Sequence, residues 1–316
     1  MKSWRIGILM TVALLSSRVV AQDPAASPPP WMAEYGYKIQ DVAEFRLSGA
    51  GGVPEVPIIT AKVQGSPELL IFDTGTAGYG SLDAGEIARL GLPVKGWETW
   101  LDSSGKPMAK IPTAVAGSLE FGPIHLSGVE IVGMGPESVM GKREGFVGTL
   151  GWWSLREYRV TLDYAHHTLA LSRSPLPPGI KSCATRHVAR FVSPHALDGL
   201  VLVEGEVDGK PIYVQVDTGK SSTVIDPKLQ ALRHYKEERS GYLLEGIRVG
   251  PFEVRSRFGR VFSGFDSFSR GMDKPVYVGL GSDFLENYLV TIDYPHRLLV
   301  LEEKSCGSTA SSGSAR

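Results

Sequence analysis

Two stretches of the chain combine residue types that could carry out acid–base chemistry. Asp73-Thr74-Gly75 follows the apolar residues 69–72, and Asp217-Thr218-Gly219 follows the mostly apolar residues 212–216. An apolar run of this length indicates a buried strand, and a carboxylate at the end of a buried strand is costly unless it is paired, hydrogen-bonded or used. If the two aspartates meet, they can share one proton and serve as general acid and general base.

The two stretches belong to an internal duplication. At an offset of 144 residues the second Asp-Thr-Gly repeats the first, together with a valine, a glycine and a proline that precede it. At an offset of 130 residues, residues 150–171 match residues 280–301 at 11 of 22 positions, whereas composition alone would give about one or two. The offset shrinks by 14 residues, so we expect a longer hairpin in the first half, within residues 94–117.

Short strands separated by turns must position these residues. From about residue 38 the chain alternates apolar and polar residues, and its 37 glycines and 21 prolines favour many turns. Residues 56–63 and 68–72 are predicted to form a hairpin. A short helix is expected at residues 86–90, with Asp83 as its N-cap and Gly91 at its C-terminal end. The sequence therefore predicts a mainly β fold with few short helices.

The composition argues against some classes of function. The chain has 316 residues, of which 42% are apolar and 21% charged, as in an ordinary globular protein with a core. Its formal net charge of -1 predicts no binding to nucleic acid or to an anionic membrane surface. The sequence contains no metal-ligand spacing and no complete dinucleotide-binding loop, so we expect neither a metal nor a cofactor.

Residues 1–21 have the pattern of a secretory signal peptide. Lys2 and Arg5 form a basic region, residues 6–15 are mostly apolar, and Ala21 ends a small-residue cleavage site. The apolar stretch is shorter than the ~20 residues of a spanning helix, but Arg18 leaves an uncleaved membrane anchor as the alternative. We expect export to the periplasm or the medium, no stable membrane insertion after cleavage, and a flexible leader at residues 22–37.

Cys183 and Cys306 are the two cysteines of the chain. In an exported protein they favour one disulfide, which would join the start and the end of the second half; two unpaired thiols are the alternative. The proline-rich residues 174–186 are expected to link the halves, and residues 306–316 to form a disordered tail.

The duplicated motifs resemble those of the aspartic peptidases. Each Asp-Thr-Gly is followed later by an apolar segment that ends in glycine, Thr149-Leu150-Gly151 in the first half and Gly279-Leu280-Gly281 in the second. The shared ending Val-Thr-(Leu/Ile)-Asp-Tyr is most similar to bacterial retropepsin-like proteins, and the two covalently joined halves are similar to the arrangement of pepsin. The resemblance covers roughly residues 40–303.

The resemblance implies two retropepsin-like β-barrel lobes related by a pseudo-two-fold axis. The first lobe would comprise residues 38–173 and the second residues 187–305, with Asp73 and Asp217 facing each other as the catalytic pair. One aspartate would activate a water molecule while the other protonates the scissile carbonyl group. Because the proton belongs to the pair, acid and base are not assigned individually.

Five neighbours of the pair have expected supporting roles. Thr74 and Thr218 would lock the two loops together by hydrogen bonds, as the threonines of the family do. Gly75 and Gly219 would let the backbone approach the carboxylates where a side chain would collide. Thr76 conforms to the family, which commonly has serine, threonine or alanine after the glycine.

The longer first-half hairpin would serve as a flap over bound peptide. It spans about residues 97–112 and contains two tryptophans, Trp97 and Trp100. These are either substrate contacts or part of the lobe core. Since the second half is shorter, no comparable hairpin is expected there, and closure over a substrate would be one-sided.

Lys220 departs from the family pattern at the position equivalent to Thr76. If its ammonium group reached the dyad, it would favour ionised carboxylates and could remove the shared proton. If it pointed outward, it could line a subsite and favour acidic substrate side chains, or it could simply be solvated.

The expected function is that of a single-chain, monomeric aspartic-type endopeptidase acting on a peptide or protein substrate. A non-catalytic peptide-binding protein that retains the fold is the alternative, and Lys220 favours it. A chain that uses one half and dimerises like retroviral enzymes is disfavoured because both aspartates lie in one duplication.

Overall fold

The computed structural model describes most of the chain. The described residues are 29–47, 56–76, 78–101, 107–134, 145–193, 199–233, 237–238, 241–254, 259–269 and 271–303. The signal peptide predicted at residues 1–21, hairpin residues 102–106, Cys306 and the tail predicted at residues 306–316 lie outside them. Strands account for 52% of the structure and helices for 14%, so the protein is mainly β, as predicted.

The strands and helices of both halves follow in chain order. The first half contains α1 (Pro30–Glu34), β1 (Val42–Glu44), β2 (Arg46–Leu47), β3 (Pro57–Val63), β4 (Ser66–Phe72), β5 (Gly80–Asp83), α2 (Ala84–Arg89), β6 (Val94–Leu101), β7 (Pro107–Phe121), β8 (Ile124–Met134), β9 (Gly148–Leu150), β10 (Arg159–Asp163) and β11 (Thr168–Ser172). The second contains β12 (Arg186–Val192), β13 (Val201–Val207), β14 (Lys210–Val216), β15 (Val224–Ile225), α3 (Pro227–Arg233), β16 (Glu237–Glu238), β17 (Gly241–Tyr242), β18 (Ile247–Val249), β19 (Phe252–Glu253), β20 (Arg260–Val261), α4 (Phe265–Ser269), β21 (Val276–Leu280), α5 (Ser282–Leu285), β22 (Tyr288–Asp293) and β23 (Leu298–Glu303).

Six strands of the first half close into a barrel. The order is β3-β4-β9-β5-β8-β7, and β7 pairs back onto β3. The β3–β4 hairpin forms as predicted, with Gln64 and Gly65 in its turn at φ values of 52° and 77°. Pairing of β4 with β9 is parallel, which places the chain that leaves β4 beside the chain that leaves β9.

The second half builds a sheet around a similar parallel pair. β13 and β14 form a hairpin, β14 pairs parallel with β21, and β21 pairs antiparallel with β15. β15 then pairs parallel with β20. The second half also has a hairpin of its own, β16–β17, but its described ladder has two residue pairs.

The closing strands of the two halves join in one sheet. Its order begins β1-β11-β10-β22-β23-β12 and continues from β12 into β13, and β10 pairs antiparallel with β22. The register centres on Thr161 and Thr291, whose side-chain oxygens lie 2.6 Å apart. One apolar cluster extends through both halves, so the two halves are packed on a common core.

Residues 29–37 do not form the flexible leader predicted for them. Tyr35 is fully buried, and its hydroxyl donates to Glu302 of the second half at 2.8 Å. Trp31 donates from its indole to Asp163 at 2.7 Å. The prediction was wrong here because the aromatic side chains of Trp31, Tyr35 and Tyr37 pack against the sheet that joins the halves. The adjoining proline-rich residues had favoured a flexible segment.

Local signals around α2 were read correctly. Asp83 caps the helix by accepting from the backbone N–H of Gly85, and Gly91 follows its end with a φ of 63°. None of the described helices is both long and apolar enough to cross a bilayer.

Candidate active site

Asp73 and Asp217 lie at the ends of two buried strands. Asp73 follows β4 and Asp217 follows β14, and the two residues are only 8% and 3% exposed. The backbone N–H of Asp73 donates to Leu150 at 3.1 Å, and that of Asp217 donates to Leu280 at 3.0 Å. The parallel neighbours β9 and β21 therefore hold both aspartates in the same way.

The two loops are joined by reciprocal threonine hydrogen bonds. The backbone N–H of Thr74 donates to Oγ1 of Thr218 at 3.1 Å, and the N–H of Thr218 donates to Oγ1 of Thr74 at 3.0 Å. Each hydroxyl then donates to a carbonyl oxygen on the opposite strand, Thr74 to Val216 at 2.9 Å and Thr218 to Phe72 at 2.6 Å. The locking role expected for both threonines matches this geometry.

Each glycine of the motif lies against the aspartate of the other loop. A Cβ atom added to Gly75 would lie 2.7 Å from Oδ1 of Asp217, and one added to Gly219 would lie 2.5 Å from Oδ2 of Asp73. Real Cβ atoms do not approach neighbours this closely. The loops thus come so near that only glycine fits, and both carboxylates lie in one shared space.

The two carboxylates accept equivalent hydrogen bonds at Oδ1 and different hydrogen bonds at Oδ2. The N–H groups of Gly75 and Gly219 donate to Oδ1 of their own aspartates at 2.7 and 3.1 Å. Oδ2 of Asp73 accepts from the hydroxyl of Thr76 at 2.7 Å. Oδ2 of Asp217 instead accepts from the ammonium group of Lys220.

The environment favours a proton on Asp73. Burial, followed by the charge of Asp217, raises the pKa of Asp73 to about 7, against opposing effects of Thr76, Lys220 and Gly75. Two carboxylates in one poorly hydrated space do not both ionise easily, because each destabilises the charge of the other.

Lys220 points inward and forms an ion pair with Asp217. Its side chain is 23% exposed, and the ammonium group lies 5.1 Å from the centre of the Phe262 ring. Of the three orientations considered from the sequence, the structure has the one in which the cation reaches the dyad.

Sequence reasoning missed two residues of this site. Gln215 is 1% exposed and donates from Nε2 to Oδ2 of Asp217 at 3.2 Å; its signal was a polar residue in an apolar strand, where the first half has Ile71. Phe262 follows β20, and no local pattern marks it as a neighbour of Lys220.

Gly151 and Gly281 pack beneath the two Asp-Thr-Gly loops. A Cβ atom on Gly151 would lie 2.5 Å from the carbonyl oxygen of Gly78, and one on Gly281 would lie 2.8 Å from that of Lys220. These glycines belong to the fold that holds the loops.

The long first-half hairpin is present, formed by β6 and β7. Trp97 pairs with Pro112 and is 65% exposed, which places it outside the lobe core. Trp100 lies on the same ladder opposite Ala109. The function of the hairpin as a flap stays a prediction.

Cys183 lies in an exposed position. Its pairing with Cys306 stays a prediction, because Cys306 is outside the described residues. Within the described part of the chain, no group of three or more His, Cys, Asp or Glu residues is arranged to hold a metal ion.

Comparisons with known proteins do not assign the chain to a family. No family model matches the sequence, and none of the curated proteins matches it significantly. Its function is therefore argued from the geometry of the site.

Proposed function

We propose that this protein is an aspartic-type endopeptidase of the retropepsin-like kind, with Asp73 and Asp217 as its catalytic dyad. The observation that carries the proposal is the reciprocal approach of the two Asp-Thr-Gly loops, in which each glycine lies against the aspartate of the other loop. The two threonines bond the loops in the same reciprocal way.

Equivalent residues of the duplication meet each other, which supports two lobes related by a pseudo-two-fold axis. Thr161 pairs with Thr291, its equivalent at an offset of 130 residues, in the sheet that joins the halves. Thr74 bonds Thr218, its equivalent at an offset of 144 residues. A two-fold operation brings equivalent points together only at its axis, so both pairs would lie on that axis.

The chemistry needs a single proton on the pair. The ionised aspartate takes a proton from a bound water molecule, and the protonated aspartate donates to the scissile carbonyl oxygen. The raised pKa of Asp73 supports a singly protonated pair below about pH 7. The low exposure of both carboxylates strengthens their interaction with the developing charge.

The proposed substrate is an extended segment of a peptide or protein. It would bind between the halves, beneath a flap formed by β6 and β7. Because one chain supplies both aspartates, the active form would be a monomer. The proposal includes export of the protein, which the sequence pattern of residues 1–21 indicates.

Cleavage of a denatured protein substrate tests the proposal. Wild-type protein should cleave it in a pepstatin-sensitive manner, and Asp73→Asn and Asp217→Asn should each lose cleavage by about 1,000-fold or more, because neither variant can both donate and accept the proton. Asp266→Asn, at a side chain that is 63% exposed, is the matched control and should cleave as wild type does. Equal cleavage by wild type and both dyad variants would refute the proposal.

A non-catalytic peptide-binding protein is the rival function. The ion pair between Lys220 and Asp217 favours it, because a cation on the dyad can remove the shared proton. In that case wild-type protein would bind unfolded peptides in a calorimetric titration, while mass spectrometry would find them intact after prolonged incubation.

A further inference from the structure

The two aspartates differ in the groups that donate hydrogen bonds to their Oδ2 atoms. Oδ2 of Asp73 faces the hydroxyl group of Thr76 at 2.7 Å. Oδ2 of Asp217 faces the ammonium group of Lys220 and, at 3.2 Å, the amide Nε2 of Gln215. The pair is therefore chemically asymmetric although the motifs that carry it are identical.

A proton can be accommodated on Asp73 without loss of its hydrogen bond. A hydroxyl group both donates and accepts, so Thr76 can turn and accept from a protonated Asp73. The Thr76 hydroxyl changes from donor to acceptor by rotation of its hydrogen alone, so no heavy atom needs to move.

A proton on Oδ2 of Asp217 would face the ammonium group of Lys220. An ammonium group has three donors and no acceptor, so a protonated Oδ2 would meet the hydrogens of Lys220. Oδ1 of Asp217 already accepts from the N–H of Gly219 at 3.1 Å. The positive charge of Lys220 and its lack of an acceptor therefore favour the ionised form at Asp217.

Phe262 helps to hold the ammonium group in this place. The ring centre lies 5.1 Å from Nζ of Lys220, within the range of a cation–π interaction. The side chain of Lys220 is 23% exposed, so its charge is partly withdrawn from water and is compensated by Asp217.

Two buried tyrosines close to the dyad are neutral. Burial raises the pKa of Tyr294, and the charges of Asp73 and Asp217 raise it further. Burial likewise raises the pKa of Tyr164, whose hydroxyl lies 3.5 Å from Ser282. Among the described residues, Lys220 is the cation bonded to the dyad.

We propose that Lys220 is a positioning residue that keeps Asp217 ionised and leaves the proton of the dyad on Asp73. The catalytic roles that follow rest on the proposed peptidase function: Asp217 would be the general base and Asp73 the general acid. The location of the proton does not depend on that function.

The assignment gives a balanced sequence of proton transfers. As the water oxygen bonds to the carbonyl carbon, Asp217 takes a proton from the water and Asp73 gives its proton to the carbonyl oxygen. When the C–N bond of the tetrahedral intermediate breaks, Asp217 gives its proton to the leaving nitrogen. One hydroxyl of the intermediate returns a proton to Asp73, which restores the starting state.

Carbon-13 NMR of carboxyl-labelled aspartate in the full chain tests the location of the proton without an activity measurement. The signals of the two residues are identified by their loss in Asp73→Asn and Asp217→Asn, and both are followed through a pH titration. We expect the Asp73 signal to move from the protonated to the ionised position near neutral pH, while the Asp217 signal keeps the ionised position.

Variants at position 220 separate the role of the cation from that of the fold. Lys220→Thr should make the two signals titrate as a coupled pair, Lys220→Arg should keep them separate, and the exposed Lys228→Thr should change neither. The proposal is overturned if the wild-type signals titrate together, if the proton is on Asp217, or if Lys220→Thr leaves the signals separate. Because no substrate is used, failure of the peptidase proposal would appear in the cleavage assay and not in these spectra.

Discussion

Gly219 lies so close to Asp73 that a Cβ atom at position 219 would be 2.5 Å from Oδ2 of the carboxylate. Gly75 has the same relationship to Asp217. These two contacts measure how tightly the loops converge, and they turn two separate sequence motifs into one site.

Gly219→Ala should therefore damage the site directly. The added methyl group must displace the Asp73 carboxylate. A misplacement of about 1 Å costs about 100-fold in activity, and overpacking costs about 1–3 kcal/mol in stability. Gly96→Ala is the matched control, since nothing lies within 4 Å of a Cβ atom at that position in β6. Cleavage rates and urea unfolding of both variants check the prediction, and a Gly219→Ala protein that matches wild type would contradict the close approach.

Thr74→Val should destabilise the protein by about 2–6 kcal/mol. The substitution keeps the shape of a fully buried side chain but removes the acceptor of the Thr218 N–H and the donor to the Val216 carbonyl. Each buried group left without a partner costs about 1–3 kcal/mol.

Thr74→Ser is the control for this substitution, because it keeps the hydroxyl group and loses one methyl group, at a cost of about 1 kcal/mol. Denaturant unfolding of both variants gives the comparison. If the valine variant proved as stable as the serine variant, the cross-loop bonds would contribute little.

The stability of the wild-type protein relative to Asp73→Asn should fall as the pH rises from about 4 to about 7. The pKa of Asp73 is raised to about 7 in the folded protein, against about 3.9 in an unfolded chain. The folded state therefore binds more protons in this range, so raising the pH favours unfolding, by up to about 4 kcal/mol in total.

Unfolding free energies measured across this pH range check the sign of the effect. Asp266→Asn is the control: it keeps Asp73, so it should retain the fall in stability with rising pH, and its own carboxylate is 63% exposed. A wild-type protein that gains stability relative to Asp73→Asn with rising pH would show that Asp73 is ionised in the folded state.

Trp97→Ala should weaken substrate binding without changing the fold. Trp97 is 65% exposed on β6, so its removal should alter stability by less than about 0.5 kcal/mol. If the β6–β7 hairpin covers bound peptide, KM should rise about 3–10-fold with kcat nearly unchanged, the loss expected for uniform binding.

Val94→Ala, on the same strand and 46% exposed, is the control for Trp97→Ala. It should leave KM unchanged because it lies away from the hairpin tip. A normal KM in Trp97→Ala would remove Trp97 from the substrate contacts.

Features that depend on neighbouring residues were predictable from the sequence. The β3–β4 hairpin and the capped helix α2 follow from alternation, turn residues and an N-cap aspartate, all of which act within a few residues. The long β6–β7 hairpin followed from counting residues between repeated motifs. The second-half hairpin β16–β17 was overlooked, and its described ladder has two residue pairs.

Features that depend on distant packing were not predictable. Residues 29–37 look like part of a flexible leader by composition, yet Tyr35 is buried against the second half. Arg159 is 1% exposed and bonds the hydroxyl of Tyr37 at 3.1 Å and the carbonyl of Tyr35 at 2.6 Å. No periodic signal marks such a contact, because its partners are more than 100 residues apart in the chain.

The sequence by itself determined which carboxylates would form the site. Two copies of Asp-Thr-Gly in one duplication single out Asp73 and Asp217, because the motif and the apolar run before it are consecutive residues in the sequence. Only the tertiary structure decided that the pair is unequal. The flexible stem of Lys220 could have pointed to solvent, and its direction depends on Asp217 and on Phe262, which is 42 residues further along the chain.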